Sequence, residues 1–200
     1  DRIGRIEEIV GNIRKYEPRE ETKKIISPSQ FFSSGDRNAF HGRGHIPILK
    51  GKAVHGLLEI LPKVDPSHWH RISETYIDSA FSDLSVTDRE EVREIVPSLL
   101  KNENFREFFQ GNSRAEVSIL GEVDGLKISG KIDRMIEFDD RVVLLDYKNT
   151  SRMFKGVDDL PEEYVKQLEL YRKLVKKLNP SKTIECYILT TVHGDLFKVF

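Results

Sequence analysis

Glu116, Asp133, Asp146 and Lys148 stand in a stretch of this 200-residue chain that otherwise reads as sheet. Lys148 follows Asp146 by two residues, so on a strand both point the same way. Asp124-Gly125 is a strong two-residue hairpin turn, and Asp139-Asp140 a weaker one. With two residues in each turn, Val123 pairs with Leu126 and Phe138 with Arg141. The same registers set Glu116 opposite Asp133, and Asp133 opposite Asp146. The result is a row of carboxylates on one sheet face, with Lys148 beside it. Like charges across a ladder repel, and a divalent cation between them removes the penalty. Magnesium takes a few carboxylates plus waters and leaves room for a phosphate oxygen. Lys148 then polarises the phosphate or helps to deprotonate an attacking water whose pKa the cation lowers. In outline this is a site for phosphodiester hydrolysis. The alternative is a solvated sheet face with Asp146 at a strand end.

The elements that must position these residues follow from the periodicity. "AEVSILGEV", "LKISGKIDRMIEF" and "RVVLLDYKN" alternate as strands. Their opposite face gathers Val117, Ile119, Val123, Ile128, Ile132, Ile136, Val143 and Leu145 as a core. Before them, "GKAVHGLLEILP" is a helix with Val54, Leu57, Leu58 and Leu61 on one face, ended by Pro62. Further helical pieces are expected near 68–82, 87–100 and 103–110. The glycines and Pro47 make 35–50 a loop, and "SPSQFF" from Ser27 reads as a helix start. After the meander, 161–178 forms a helix, and "TIECYILTT" and "LFKVF" close the chain as strands, with His193 at their turn. The fold class is α/β: a mixed β-sheet with an antiparallel three-stranded meander, flanked by helices, with extra helices at the N-terminal side.

Composition bounds the alternatives. With 32 basic and 33 acidic residues the net charge is -1, so any nucleic-acid surface is local. The single cysteine, Cys186, excludes a disulfide framework, a multi-cysteine zinc site and a cysteine-ligated iron–sulfur cluster. No apolar run is long enough for a membrane span and no signal-peptide pattern is present. Residues 1–26 are highly charged and read as a short helix and linker from a preceding domain, leaving 27–200 as one domain. The chain starts without an initiator methionine, as either an excised domain or a processed chain would.

The remaining candidates are open on their residues alone. His55 lies at the flank of its helix's apolar stripe, able to reach a site beside the core. His41 and His45 fall in the glycine-rich loop, and His68 and His70 flank Trp69; these read as loop or surface residues. Gln167 and Tyr171 share a helix face, either to bind a DNA backbone and orient a site, or as boundary and core residues. Lys166, Arg172, Lys173, Lys176, Lys177 and Lys182 make that region basic. The run either tracks a phosphate strand or is a solvated face suited to the helix dipole.

"GKIDR", "VVLLDYKNT" and "QLELY", in that order, resemble the PD-(D/E)XK nuclease superfamily and its RecB-like branch. "GKAVHGLLEILP", "SPSQF" and "SRAEVSI" extend the likeness to the C-terminal nuclease domain of AddA-type helicase–nuclease subunits, over roughly residues 27–200. The resemblance implies a restriction-endonuclease-like core with Asp133, Asp146 and Lys148 catalytic. It implies metal ligation by His55, Asp133, Asp146 and the Tyr147 main chain, the Tyr147 side chain lying on the apolar side. Glu116, Gln167 and Tyr171 take supporting or DNA-binding roles. The expected cofactor is Mg2+, with Mn2+ an option, and no iron–sulfur cluster. The expected function is that of a metal-dependent deoxyribonuclease of a helicase–nuclease, an exonuclease on single-stranded DNA in double-strand break repair and recombination. Its partners are then DNA, the helicase region of the same polypeptide and a second helicase–nuclease subunit, in the cytoplasm and without a membrane. The competing reading is a catalytically silent DNA-binding or assembly module of such a complex.

Overall fold

The computed structural model describes residues 25–28 and 45–200. The expected helix in 1–24, the continuation of the helix start beyond Pro28, and the loop 35–44 with His41 lie outside the described residues. In chain order the regular elements are β1 (Ile25–Ile26), α1 (His45–Ile60), α2 (Trp69–Ala80), α3 (Val86–Lys101), β2 (Ser113–Val123), β3 (Leu126–Glu137), β4 (Arg141–Lys148), α4 (Glu162–Leu178), β5 (Thr183–Thr190) and β6 (Asp195–Lys198). They form a mixed six-stranded sheet in the order β1-β3-β4-β5-β6, with β2 on the other edge of β3. This is the α/β meander sheet with extra helices that the sequence implies.

Two local expectations are corrected. Residues 45–50 are helical rather than loop, because α1 starts at His45. Pro47 sits in the first turn, where no intrahelical N–H bond is lost. Ile25 and Ile26, expected in a linker, instead pair in parallel with Lys127 and Ile128 of β3.

Both hairpins keep the expected register. Asp124 and Gly125 have φ of 51° and 80°, the left-handed conformations of a two-residue turn that matches the twist of its strands. Val123 pairs with Leu126, and Val117 with Ile132. The Phe138 N–H donates to the Arg141 carbonyl at 2.9 Å, and Arg134 pairs with Leu145.

The side-chain alternation, however, changes hand in the middle of β3. Ile119, Val123, Ile128 and Ile132 pack with Leu168, Tyr171, Leu174 and Val175 of α4, and Val117 packs against the same cluster. Ile136, Val143 and Leu145 pack with Val54, Leu57, Leu58, Ile77, Val92 and Val96 of the N-terminal helices. The single apolar face expected from the sequence is therefore divided between two cores, one on each side of the sheet. The division falls at Glu116 and Asp133. These residues drop out of the ladder although the register is the same on both sides of them, and Glu116 takes φ of 55°. No extra residue is inserted, so the distortion is a local flip and not a bulge. β4 runs between the cores with both faces covered, which explains its unbroken apolar run from Val142 to Leu145.

Arg134, the first residue beyond the flip, turns into the N-terminal core and is 3% exposed. Its guanidinium donates to Tyr147 Oη at 2.7 Å, to Ser113 Oγ at 2.7 Å and to the Leu58 carbonyl. It also lies 4.7 Å from the centre of the Phe109 ring. One side chain thus ties β3 to β2, β4 and α1. Replacing Arg134 by Met, which keeps the stem and removes the donors, leaves buried acceptors unsatisfied and is expected to cost about 3 kcal/mol. Urea denaturation would measure it.

Candidate active site

The site forms where β3 and β4 part company. After the Arg134–Leu145 pair the next rung would join Asp133 and Asp146. Instead the Asp133 carboxylate accepts the Tyr147 N–H at 2.7 Å, a side chain taking the place of a ladder carbonyl. Tyr147 turns into the N-terminal core, where its ring meets the His55 ring edge-on at 5.3 Å. His55 stands on α1 beside the buried Val54, with Nδ1 3.5 Å from Asp133 Oδ1. Glu116 completes the group: ligand atoms of His55, Glu116 and Asp133 all lie within 4.8 Å of one another. The left-handed backbone at Glu116 accompanies its departure from the ladder at this point. The cluster borders a cleft of about 530 Å³ lined by Gly51, Lys52, His55, Glu59, Glu116 and Lys131.

The second half of the site lies on the α4 side. Asp146 is 4% exposed and accepts from Gln167 Nε2 at 3.0 Å. Lys148 Nζ reaches Asp146 Oδ2 at 2.8 Å and donates to Gln167 Oε1 at 3.1 Å, closing a ring of three side chains. Above the ammonium lies the Tyr164 ring, with its centre 4.5 Å away. The strand end is fixed by Thr191, whose N–H donates to the Lys148 carbonyl at 3.0 Å. Tyr171 is buried against β3 at Gly130, where a Cβ would come within 2.5 Å of the phenol oxygen. Only glycine leaves room for that close approach.

Charge follows this layout. Burial, assisted by nearby Asp146 and opposed by His55, the Tyr147 N–H and Lys148, pushes the Asp133 carboxyl up to about 6. Burial opposes the charge of Lys148, but the ion pair and hydrogen bond to Asp146, with Asp133 nearby, outweigh it and hold the ammonium above the usual lysine range.

The structure therefore brings Glu116, Asp133, Asp146 and Lys148 to one end of the sheet, but not as a row on one face. Asp133 and Glu116 join His55, while Asp146 is bound by Lys148 and Gln167 and stands outside the three-ligand cluster. Gln167 and Tyr171 are both buried, Gln167 as the clamp on Asp146 and Lys148. Three contributors were missed from the sequence: Arg134 behind Tyr147, Tyr164 over Lys148, and Lys131, whose Nζ lies 3.1 Å from Glu116 Oε2. Tyr164 precedes Gln167 by one helical turn, and that shared face was the available clue. His45 begins α1, and His68 and His70 lie away from the cluster; His193 meets the Ser151 carbonyl at 2.9 Å.

A meander sheet between helical layers, with a D-x-K step and a helix glutamine meeting at one end, is the arrangement of a nuclease core. The chain belongs to the PD-(D/E)XK nuclease superfamily, whose pattern matches residues 37–193. Nucleases of this superfamily use divalent metals, and His55, Glu116 and Asp133 offer one imidazole and two carboxylates at a shared point. Two curated relatives, each by name the A-type member of an ATP-dependent helicase/nuclease, come from Thermoanaerobacter sp. (strain X514) and Thermoanaerobacter pseudethanolicus (strain ATCC 33223 / 39E). Each is 31% identical over 77 residues, which is 38% of this chain. The match spans 6% of the length of either relative. The solved structure of SSO0001 superposes with a TM-score of 0.34 and 17% identity over 76% of this chain and 75% of that one. No helix among the described residues is long and apolar enough to cross a membrane.

The raised carboxyl gives a pH test. With a folded value near 6 against an ordinary 3.8, the folded protein binds more protons than the unfolded chain between these values. Stability from Asp133 is thus full below about pH 4 and is lost as pH rises through about 6. Asp133→Asn keeps an acceptor for the Tyr147 N–H and removes the charge. In chelator at pH 7 it is expected to be more stable than the parent by about 2 kcal/mol, the gap closing toward pH 4. Denaturant titrations across that range would measure the difference.

Proposed function

We propose that this chain is a metal-dependent nuclease that hydrolyses DNA phosphodiester bonds. The observation that carries the reading is the adjacency of two units at one sheet end: the His55/Glu116/Asp133 cluster and the Asp146/Lys148/Gln167 ring. The donor set of one imidazole and two carboxylates suits Mn2+ or Mg2+. The raised carboxyl of Asp133 is also what a buried acid awaiting a cation would show. His55, Glu116 and Asp133 would hold the ion, with Asp146 and the Tyr147 main chain beside them. When bound, a divalent cation supplies charge that polarises a phosphate oxygen and makes water more acidic.

The protein's own groups then have separable tasks. Tyr147 holds the Asp133 carboxylate in place through its N–H, and its buried ring fixes that N–H. Gln167 fixes Asp146 and Lys148 together, accepting from one and donating to the other. Lys148, already donating its protons to these partners, acts as a fixed positive charge toward the phosphate as negative charge develops, rather than as the base that activates water. Asp146 is the acid that keeps this ammonium aimed. We further infer from the names of the helicase/nuclease relatives that the domain serves a helicase–nuclease in double-strand break processing and recombination. It would degrade single strands delivered by a helicase region of the same polypeptide, in the cytoplasm, alongside a second nuclease-bearing subunit.

A silent DNA-binding module is the second reading, and the observation in its favour is that Asp146 stands outside the ligand cluster. End-labelled single-stranded DNA, incubated with Mg2+ or Mn2+, separates the two. The parent is expected to cut, and Lys148→Met and Asp146→Asn to lose about a hundredfold in rate or more while remaining folded. Variants that cut as fast as the parent would refute the nuclease assignment to these residues.

A further inference from the structure

We propose that Lys131 is an exchangeable counterion: it holds Glu116 until a divalent cation takes that carboxylate, and then turns to a phosphate of the nucleic-acid backbone. The inference rests on the nuclease reading for its substrate class, but its geometry stands on its own. Lys131 lies on β3 two residues before Asp133 and opposite Ser118 of β2. Its Nζ reaches diagonally across the ladder to Glu116 Oε2 at 3.1 Å. Glu116 is also one of the three side chains that converge on a single point with His55 and Asp133. One carboxylate thus faces two positive claimants, an ammonium on the outside and any cation in the cluster.

The two claimants are unequal in mobility. The Lys131 side chain is 56% exposed while Glu116 is 29% exposed, so the ammonium can leave at little cost and the carboxylate cannot follow it far. A divalent ion drawing on Glu116 weakens the pair and releases the ammonium at the rim of the cleft that Lys131 lines with Lys52 and His55. A backbone phosphate entering that cleft beside the cluster is the anion within its reach. An exposed side chain with a flexible stem can change partners in this way. Linkage then requires the converse: phosphate bound by Lys131 frees Glu116 and raises the affinity for the cation. Loading of metal and loading of nucleic acid assist one another through a single side chain.

The test is calorimetric titration of Mn2+ into the protein, alone and with a single-stranded oligonucleotide carrying non-hydrolysable linkages. The parent is compared with Lys131→Met and Lys131→Arg. Without oligonucleotide, Lys131→Met removes the competitor, and its Mn2+ affinity is expected to rise about threefold, the scale of an exposed ion pair. In Mn2+ its oligonucleotide affinity is expected to fall by about the same factor, and Lys131→Arg to stay near the parent in both. The opposite signs are the signature, because loss of structure would lower both affinities. Unchanged or reduced Mn2+ affinity in Lys131→Met, or unchanged oligonucleotide affinity, overturns the proposal. If the parent cuts no DNA yet the opposite signs appear, the exchange stands and the nuclease reading falls. If the parent cuts and Lys131→Met matches it in both titrations, only the exchange falls.

Discussion

Where β3 and β4 would share one more rung, the Asp133 carboxylate accepts the Tyr147 N–H, and the surrounding arrangement follows from that substitution. An ordinary rung would hold Asp133 and Asp146 side by side on one face, with nothing to separate their charges. Ending the ladder with a side chain lets the acids diverge, Asp133 toward α1 and Asp146 toward α4. Each then finds its own company: His55 for one, Lys148 and Gln167 for the other. The acids still influence each other, and Asp133 retains a raised pKa. The fold accepts this because Tyr147 is anchored twice, by its N–H and by the bond from Arg134 to its hydroxyl.

The flip in β3 also gives the site two foundations. His55 and Tyr147 rest on the core built by the N-terminal helices, while Gln167 and Tyr171 rest on the core built by α4. The sheet end is therefore a seam between two packed layers, and its geometry depends on both. Arg134 serves as the fastener on one side, and the close approach of Tyr171 to Gly130 sets the spacing on the other. A disturbance in either core would reach the acids through rigid strands rather than loops, which accords with placing a precise constellation on regular elements.

Much of this was legible in the residues. Asp124-Gly125 demanded a two-residue turn and Asp139-Asp140 allowed another, and counting outward from the two gave the registers that place Glu116, Asp133 and Asp146 on consecutive strands. The alternation rule then failed at Glu116 and Asp133, because it assumes an unbroken pleat and local sequence gives no sign of a left-handed glutamate. Treating 35–50 as loop missed the start of α1, since Pro47 reads as a breaker unless the first turn is recognised. His55 was ambiguous on its helix face and gained its role only by resemblance; the structure sets it beside Asp133. Arg134 and Lys131 were invisible because each acts through a partner distant in sequence or across a strand pair, and spacing along one strand cannot encode that; Tyr164 was marked only by the helix face it shares with Gln167.

Glutamate at position 116 brings the demands of fold and chemistry into conflict. A left-handed φ is uncomfortable for a long side chain and easy for glycine or asparagine. Stability alone would steer this codon toward those residues, whereas the ligand role proposed for this carboxylate beside His55 and Asp133 would require the acid to stay. On the proposed function, a lineage released from the need to cut DNA would thus find a downhill path at residue 116 and leave the rest of the sheet untouched. On that reading, the identity of this one residue is a compact record of whether a given descendant still uses its site.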